Sequence, residues 1–113
     1  MDKLDYYRQL TRKILTEYYE LGVKITHSQI ETDLIFDELH DHYLLIVIGW
    51  EGEERIKGNT IHIRLRDGKI WIEEDWTEDG VATDFLQAGV PREDIVLAFH
   101  PPHLRQYTEF AVR

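Results

Sequence analysis

The stretch from Thr60 to Asp75, TIHIRLRDGKIWIEED, constrains this chain more than any other. Ile61, Ile63 and Leu65 alternate with His62, Arg64 and Arg66, and Asp67-Gly68 then supplies two residues that tolerate the positive φ angles of a tight turn. The pattern predicts a β-hairpin. A two-residue turn sets the register, so Leu65 should face Ile70 and Ile63 should face Ile72 on a core side, while Arg64 faces Trp71 and His62 faces Glu73 on the other. That second side carries a guanidinium able to lie on an indole, which suits a binding surface without naming a reaction.

The rest of the chain extends the hairpin into an α+β domain. Leu4, Tyr7, Leu10, Ile14, Tyr18 and Leu21 recur at helical spacing, which predicts an amphipathic helix over about residues 3–21 with Asp2 as N-cap and Gly22 as stop. Strand patterns follow at Gln29 to Asp37, Tyr43 to Trp50, Arg55 to Arg66 and Lys69 to Asp75, and their short connections make an antiparallel meander of about four strands. Gly58-Asn59 marks a bulge or bend in the third. The second strand, YLLIVIGW, is apolar on both faces, so it is either central or covered on one side by the helix and on the other by a partner. Thr77 is placed to cap a second helix ending at Gly89. Ile95 to Phe99 is apolar, Pro101-Pro102 should block helix and central-strand pairing, and Tyr107 to Val112 alternates like a final strand. Phe110 and Val112 imply that this extended C-terminal segment joins the sheet or reaches a second subunit, the basis for expecting a homo-oligomer through it. The 113 residues read as one domain, 1–113, without repeat or linker.

Composition narrows the function classes. No cysteine is present, which removes disulfides, thiolate catalysis and cysteine-based zinc sites. The longest apolar run is far short of a membrane span, and the acidic, helix-patterned start lacks a signal core, so a cytoplasmic protein without membrane contact is expected. The net charge is −9, and residues 27–55 hold eight acids against the single Arg55. Such a field repels phosphate, and the two thin basic groups, Arg8, Arg12 and Lys13, then Arg64, Arg66 and Lys69, read as solvated charges.

Catalytic and metal patterns are weak. His40 and His42 lie among Asp37, Glu38 and Asp41, but acids and histidines are ordinary turn residues. His100 and His103 flank two prolines with no carboxylate beside them. Alternation would put Glu73 and Asp75 on one face, as strand-end acids. The lone Ser28 lacks a GxSxG turn, and neither a Walker loop nor GxGxxG occurs. No cofactor or catalytic residue is expected. An alternative keeps a small metal-assisted hydrolase or ligand-binding protein built on His62, Glu73 and Asp75, or on His40 and His42.

Taken as a set, IFDELHDHYLLIVIGWEGEERIKGNTIHIRLRDGKIWIEED, TEDGVA and GVPREDIVLAFHPPHLRQYTEFAV resemble the XisI family, the cyanobacterial fdxN-element excision controlling factor, as does the opening MDKLDYYRQL. The combination of GWEG, DGKIWI, GVPREDIV and TEFAV carries the likeness across nearly the whole chain. It implies a non-enzymatic role in controlling a recombinase-driven DNA rearrangement during heterocyst differentiation, with a companion XisH-like protein of nuclease fold and with DNA met only indirectly. The family has no established catalytic residues to transfer. Contact with such a partner is expected from Arg64, Trp71, Trp76, Arg105, Tyr107 and Phe110, because interface anchors are enriched in Trp, Tyr and Arg. An antitoxin-like variant would instead present Asp37, Glu38 and Asp41 to a nuclease's positive groove.

Overall fold

The computed structural model describes residues 2–25 and 29–113, so Ser28 lies outside the described residues. Helix α1 spans Lys3–Ile25, and strands β1 (Ile30–Asp37), β2 (His42–Glu51), β3 (Glu54–Arg66) and β4 (Lys69–Asp75) follow in sequence. Helix α2 (Val81–Gln87) then leads through a 3-10 turn to β5 (Ile95–Leu97) and a second 3-10 segment, Pro102–Tyr107. The strands lie side by side in chain order, β1 to β4 antiparallel and β5 parallel to β4. The expected α+β meander is present, enlarged by a fifth, parallel edge strand.

Local rules account for most element ends. Asp67 and Gly68 take φ of 55° and 74°, as the hairpin turn requires. Asp2 caps α1, its Oδ1 accepting the Asp5 N–H at 2.8 Å. Gly22 does not stop the helix, which runs on to Ile25. It is small for another reason: α1 crosses β1 there, and even a methyl group would touch Thr32 at 3.4 Å. Helix α2 starts at Val81, later than a Thr77 cap implies, and the Asp75 carboxylate organises its approach by accepting from Thr77 N–H, Thr77 Oγ1 and Val81 N–H. Gly89, at φ 96°, ends it as expected, with Val90 N–H on Phe85 O and Gly89 N–H on Leu86 O.

Two bulges set which side chains share a face. Between Leu45/Ile61 and Ile46/Asn59 the extra residue is Thr60, beside the Gly58-Asn59 break. The second was not foreseen: Ile63 pairs Ile72 and Arg64 pairs Trp71 as the turn predicts, but His62 pairs Glu74 rather than Glu73. One inserted residue therefore turns Asp75 away from Glu73 and toward α2, overturning the shared face that strict alternation implies.

One face of the sheet is the core. Tyr43, Leu45, Ile61, Ile63, Leu65, Ile70 and Ile72 are buried beneath Tyr7, Leu10, Ile14 and Leu15 of α1 and Val81 and Phe85 of α2. Each fully buried Ile or Leu contributes about 1.5–3 kcal/mol. The helix is rotated slightly from its expected stripe, because Leu15 and Thr11 are fully buried while Leu21 is exposed. Thr11 meets its polar need by donating to Tyr7 O at 2.7 Å.

The tail corrects the sequence reading. Pro101 is extended, but Pro102 opens a 3-10 helix, where a missing N–H costs nothing. Tyr107 to Val112 forms no strand; it touches the sheet through a single bridge, Ala111 to Val96, with Ala111 N–H on Ile95 O at 2.8 Å. Through that bridge the segment folds onto its own sheet edge.

Candidate functional site

On the outward face, the β3–β4 register and the tail converge on Trp71. The guanidinium carbons of Arg64, Arg66 and Arg105 lie 5.7, 5.5 and 5.6 Å from its ring, and its Nε1–H donates to Arg66 O at 3.0 Å. Arg105 is fixed by three carbonyls, those of His100 (3.0 Å), Ala98 (3.2 Å) and Val112 (3.4 Å). Arg64 also pairs with Glu73 at 3.3 Å. Three of the expected contact residues, Arg64, Trp71 and Arg105, are thus brought together, but Trp71 is only 7% exposed. Its ring serves as the floor on which the tail is clamped, and burial by a returning tail leaves no local mark in DGKIWI. Arg66, the third cation, was placed by sequence among solvated charges.

The other expected anchors divide by exposure. Phe110 packs against the core, whereas Trp76 is 76% and Tyr107 79% exposed. The Trp76 indole is held in place, donating to Glu74 Oε2 at 2.7 Å. Together with Phe99, which sequence reasoning passed over, it borders a groove of about 200 Å³ that Glu74 and Asp75 complete. Phe99 sits within an apolar run, so nothing in its own pattern distinguishes it from core.

The acidic loop between β1 and β2 is largely neutralised by the chain itself. Asp41 accepts from Arg8 Nε at 2.8 Å and Nη2 at 3.0 Å, and this bidentate pair, foremost its hydrogen bond, holds the Asp41 carboxyl below the usual carboxylate range. Glu38 pairs with Arg12, and Asp37 with His40 at 2.9 Å; the His40 hydrogen bond lowers the Asp37 carboxyl too. Asp41 and Glu38 thus tie the loop to Arg8 and Arg12 of α1, while Asp37 is paired within the loop itself.

The residues of the hydrolase alternative converge only in part. His42 Nδ1 and His62 Nε2 are 2.9 Å apart, Asp75 is turned to α2, and His40 is engaged by Asp37. Burial, then the neighbouring His42, pushes the His62 imidazole below its ordinary value. Among the described residues no group of three or more His, Asp or Glu side chains is disposed to hold a metal ion. His100 lies against Phe99, and His103 is exposed. No described helix is long and apolar enough to cross a membrane.

No curated protein matches this chain. Among solved structures, a XisI-like protein from Anabaena variabilis ATCC 29413 is 38% identical over 97% of this chain and 99% of its own, with a TM-score of 0.91. The fdxN element excision controlling factor XisI from the same organism is 39% identical over 99% of this chain and 100% of its own, with a TM-score of 0.87. The profile of the family described as XisI protein matches residues 1–112, the same span that carries the meander, the clamped tail and the motifs quoted above, and the chain belongs to the XisI family.

Proposed function

We propose that this protein is a non-enzymatic accessory factor that docks a protein of nuclease fold, XisH-like, and through it controls site-specific DNA excision, meeting DNA only indirectly. The observation that carries the reading is the exposed aromatic groove of Trp76 and Phe99, two large apolar side chains held at the surface beside Glu74 and Asp75. A fixed indole loses little conformational freedom on binding, which suits it as an anchor, and flanking carboxylates favour a basic partner surface. The net charge of −9 suits a protein partner better than a phosphate backbone.

The test is co-expression with the XisH-like protein, followed by size-exclusion chromatography with light scattering. A complex that survives in the parent protein and weakens at least about tenfold with Trp76→Ala is expected, since a central aromatic contributes 2 kcal/mol or more. Trp71→Ala is a poor probe, because removing a buried indole destabilises the fold by about 3–5 kcal/mol. Absence of any complex, or a complex indifferent to Trp76 and Phe99, would rule the reading out.

A further inference from the structure

The open half of the outward sheet face carries an apolar stripe. Along β2, Leu44, Ile46, Ile48 and Trp50 point away from the core, and Ile35 of β1 pairs with Leu44 beside them. Ile35 and Trp50 are 47% and 48% exposed, and the others are half-buried only against their neighbours. Ile35, Leu44, Ile46 and Ile48, with Lys57, Gly58 and Asn59, line a shallow, almost wholly apolar groove of about 210 Å³. The tail covers the β4–β5 half of this face, so the stripe over β1–β3 is left without a cover among the described residues.

Charge on either side of the stripe selects its occupant. The outward residues of β1 are Glu31, Asp33 and Asp37, whereas those of β3 include Arg55, Lys57 and Arg64. Acid flanks one side and base the other. Across β2, Glu31 and Lys57 both pair with Ile48, Asp33 and Asn59 both pair with Ile46, and Asp37 and Arg64 both pair with His42. A twofold axis parallel to the strands superposes β1 of one copy on β3 of the other at the same height. It sets Glu31 against Lys57, Asp33 against Asn59 and Asp37 against Arg64, twice each. An axis across the strands would set β1 on β1, acid against acid. Glu31 and Lys57 have no ion-pair partner of their own among the described residues, so they are available for that contact.

We propose that the β1–β3 outward face is a homodimer interface, with a second copy laid face to face about a twofold axis parallel to the strands. The result is a sandwich of two aligned sheets around Leu44, Ile46 and Ile48, the usual way for two twisted sheets to bury apolar faces. None of these interface residues lines the Trp76 and Phe99 groove, which adjoins the face through the Asn59 to Glu74 hydrogen bond at 3.4 Å, and a dimer test made on the protein alone is independent of the proposed partner.

Sedimentation velocity on the purified protein alone tests it. The parent chain should sediment as a dimer of twice 13.5 kDa. Ile46→Lys should weaken the dimer about a hundredfold or more by placing two charges in its centre, and Glu31→Lys or Lys57→Glu should each weaken it about tenfold. Combining Glu31→Lys with Lys57→Glu in one chain should restore the dimer. Mixing the two single variants should do the same, because each then meets its complement, an outcome that misfolding cannot mimic. A monomeric parent chain overturns the proposal and leaves the stripe to a different protein. So does a dimer indifferent to Ile46→Lys, or one that the double exchange fails to restore.

Discussion

Tyr7 is the residue at which helix α1, the β5 end of the sheet and a buried charge meet. Its hydroxyl donates to Asp94 Oδ2 at 2.5 Å, and Lys3 Nζ reaches the same oxygen at 2.9 Å. Burial works against ionisation of Asp94, but the Tyr7 hydrogen bond and the Lys3 ammonium outweigh it and hold the carboxyl below its usual range. Burial and the adjacent carboxylate push the Tyr7 hydroxyl well above its ordinary value, so it remains a donor. Tyr7→Phe keeps the ring and removes the donor to a charged, 8% exposed acid. It should destabilise the fold by about 2 kcal/mol in urea unfolding, the scale of a hydrogen bond to a charge. Tyr6→Phe, which loses only an exposed 3.2 Å bond to Ala88 O, should change stability by about 0.5 kcal/mol or less. Equal effects would show that Asp94 does not depend on Tyr7. The helical stripe identified Tyr7 as a packing residue; its acid, 87 positions away, has no local signature.

At the scale of elements, the tail is the part that one arginine holds. Arg105 bonds three carbonyls, on both sides of the Pro102–Tyr107 turn, and lies over Trp71. Arg105→Ala should release residues 98–112 as a unit while leaving β1–β4 paired. Hydrogen exchange would then show faster exchange at the Ala98 and Ala111 amides, bonded to Ile72 O and Ile95 O, and unchanged protection at Ile63 and Leu45. Uniform loss, or none, would reject the clamp. The same contrast explains what could be read in advance. Alternation and the Asp67-Gly68 turn dictate β3 and β4 through neighbouring residues, and the Gly58-Asn59 break announced the Thr60 bulge. The Glu73 inserted opposite the His62–Ile63 step, the parallel pairing of a three-residue β5 and the clamped tail depend on contacts made after the chain folds back. Period-two and period-3.6 patterns carry no information about such contacts. The candidate site divides in the same way: Arg64 beside Trp71 followed from register, whereas the burial of Trp71 followed from the tail, so of these two indoles the exposed one is Trp76.

For the whole molecule, the sheet is covered unevenly. One face lies under α1 and α2, half of the other lies under the tail, and the remaining half, over β1–β3, holds His42 and His62 at the end of the apolar stripe. The extents of 42 × 34 × 26 Å and radius of gyration of 14.7 Å exceed the roughly 13 Å of a rounder chain of this length, as a sheet with an uncovered half would. That geometry separates two acid transitions. His62 is faced by His42, Arg64, Glu73 and Glu74, and its folded value lies below its unfolded one. Its contribution to stability is therefore complete above the ordinary histidine value of about 6.5 and is lost as pH falls from there through the folded value, the unfolded chain binding the proton first. Asp41 and Asp94, also lowered on folding, contribute fully above about 3.9 and lose their share only as pH falls through their folded values. Thermal midpoints at one fixed protein concentration should decline in two stages, a shallow one beginning near pH 6.5 and a steeper one below about pH 4. His62→Gln should abolish the first stage and leave the second, whereas Asp41→Asn should lower stability at neutral pH and blunt the second. A single decline unaffected by His62→Gln would mean that the imidazole is as easily protonated in the fold as in the open chain, and that the His42–His62 contact does not hold it neutral.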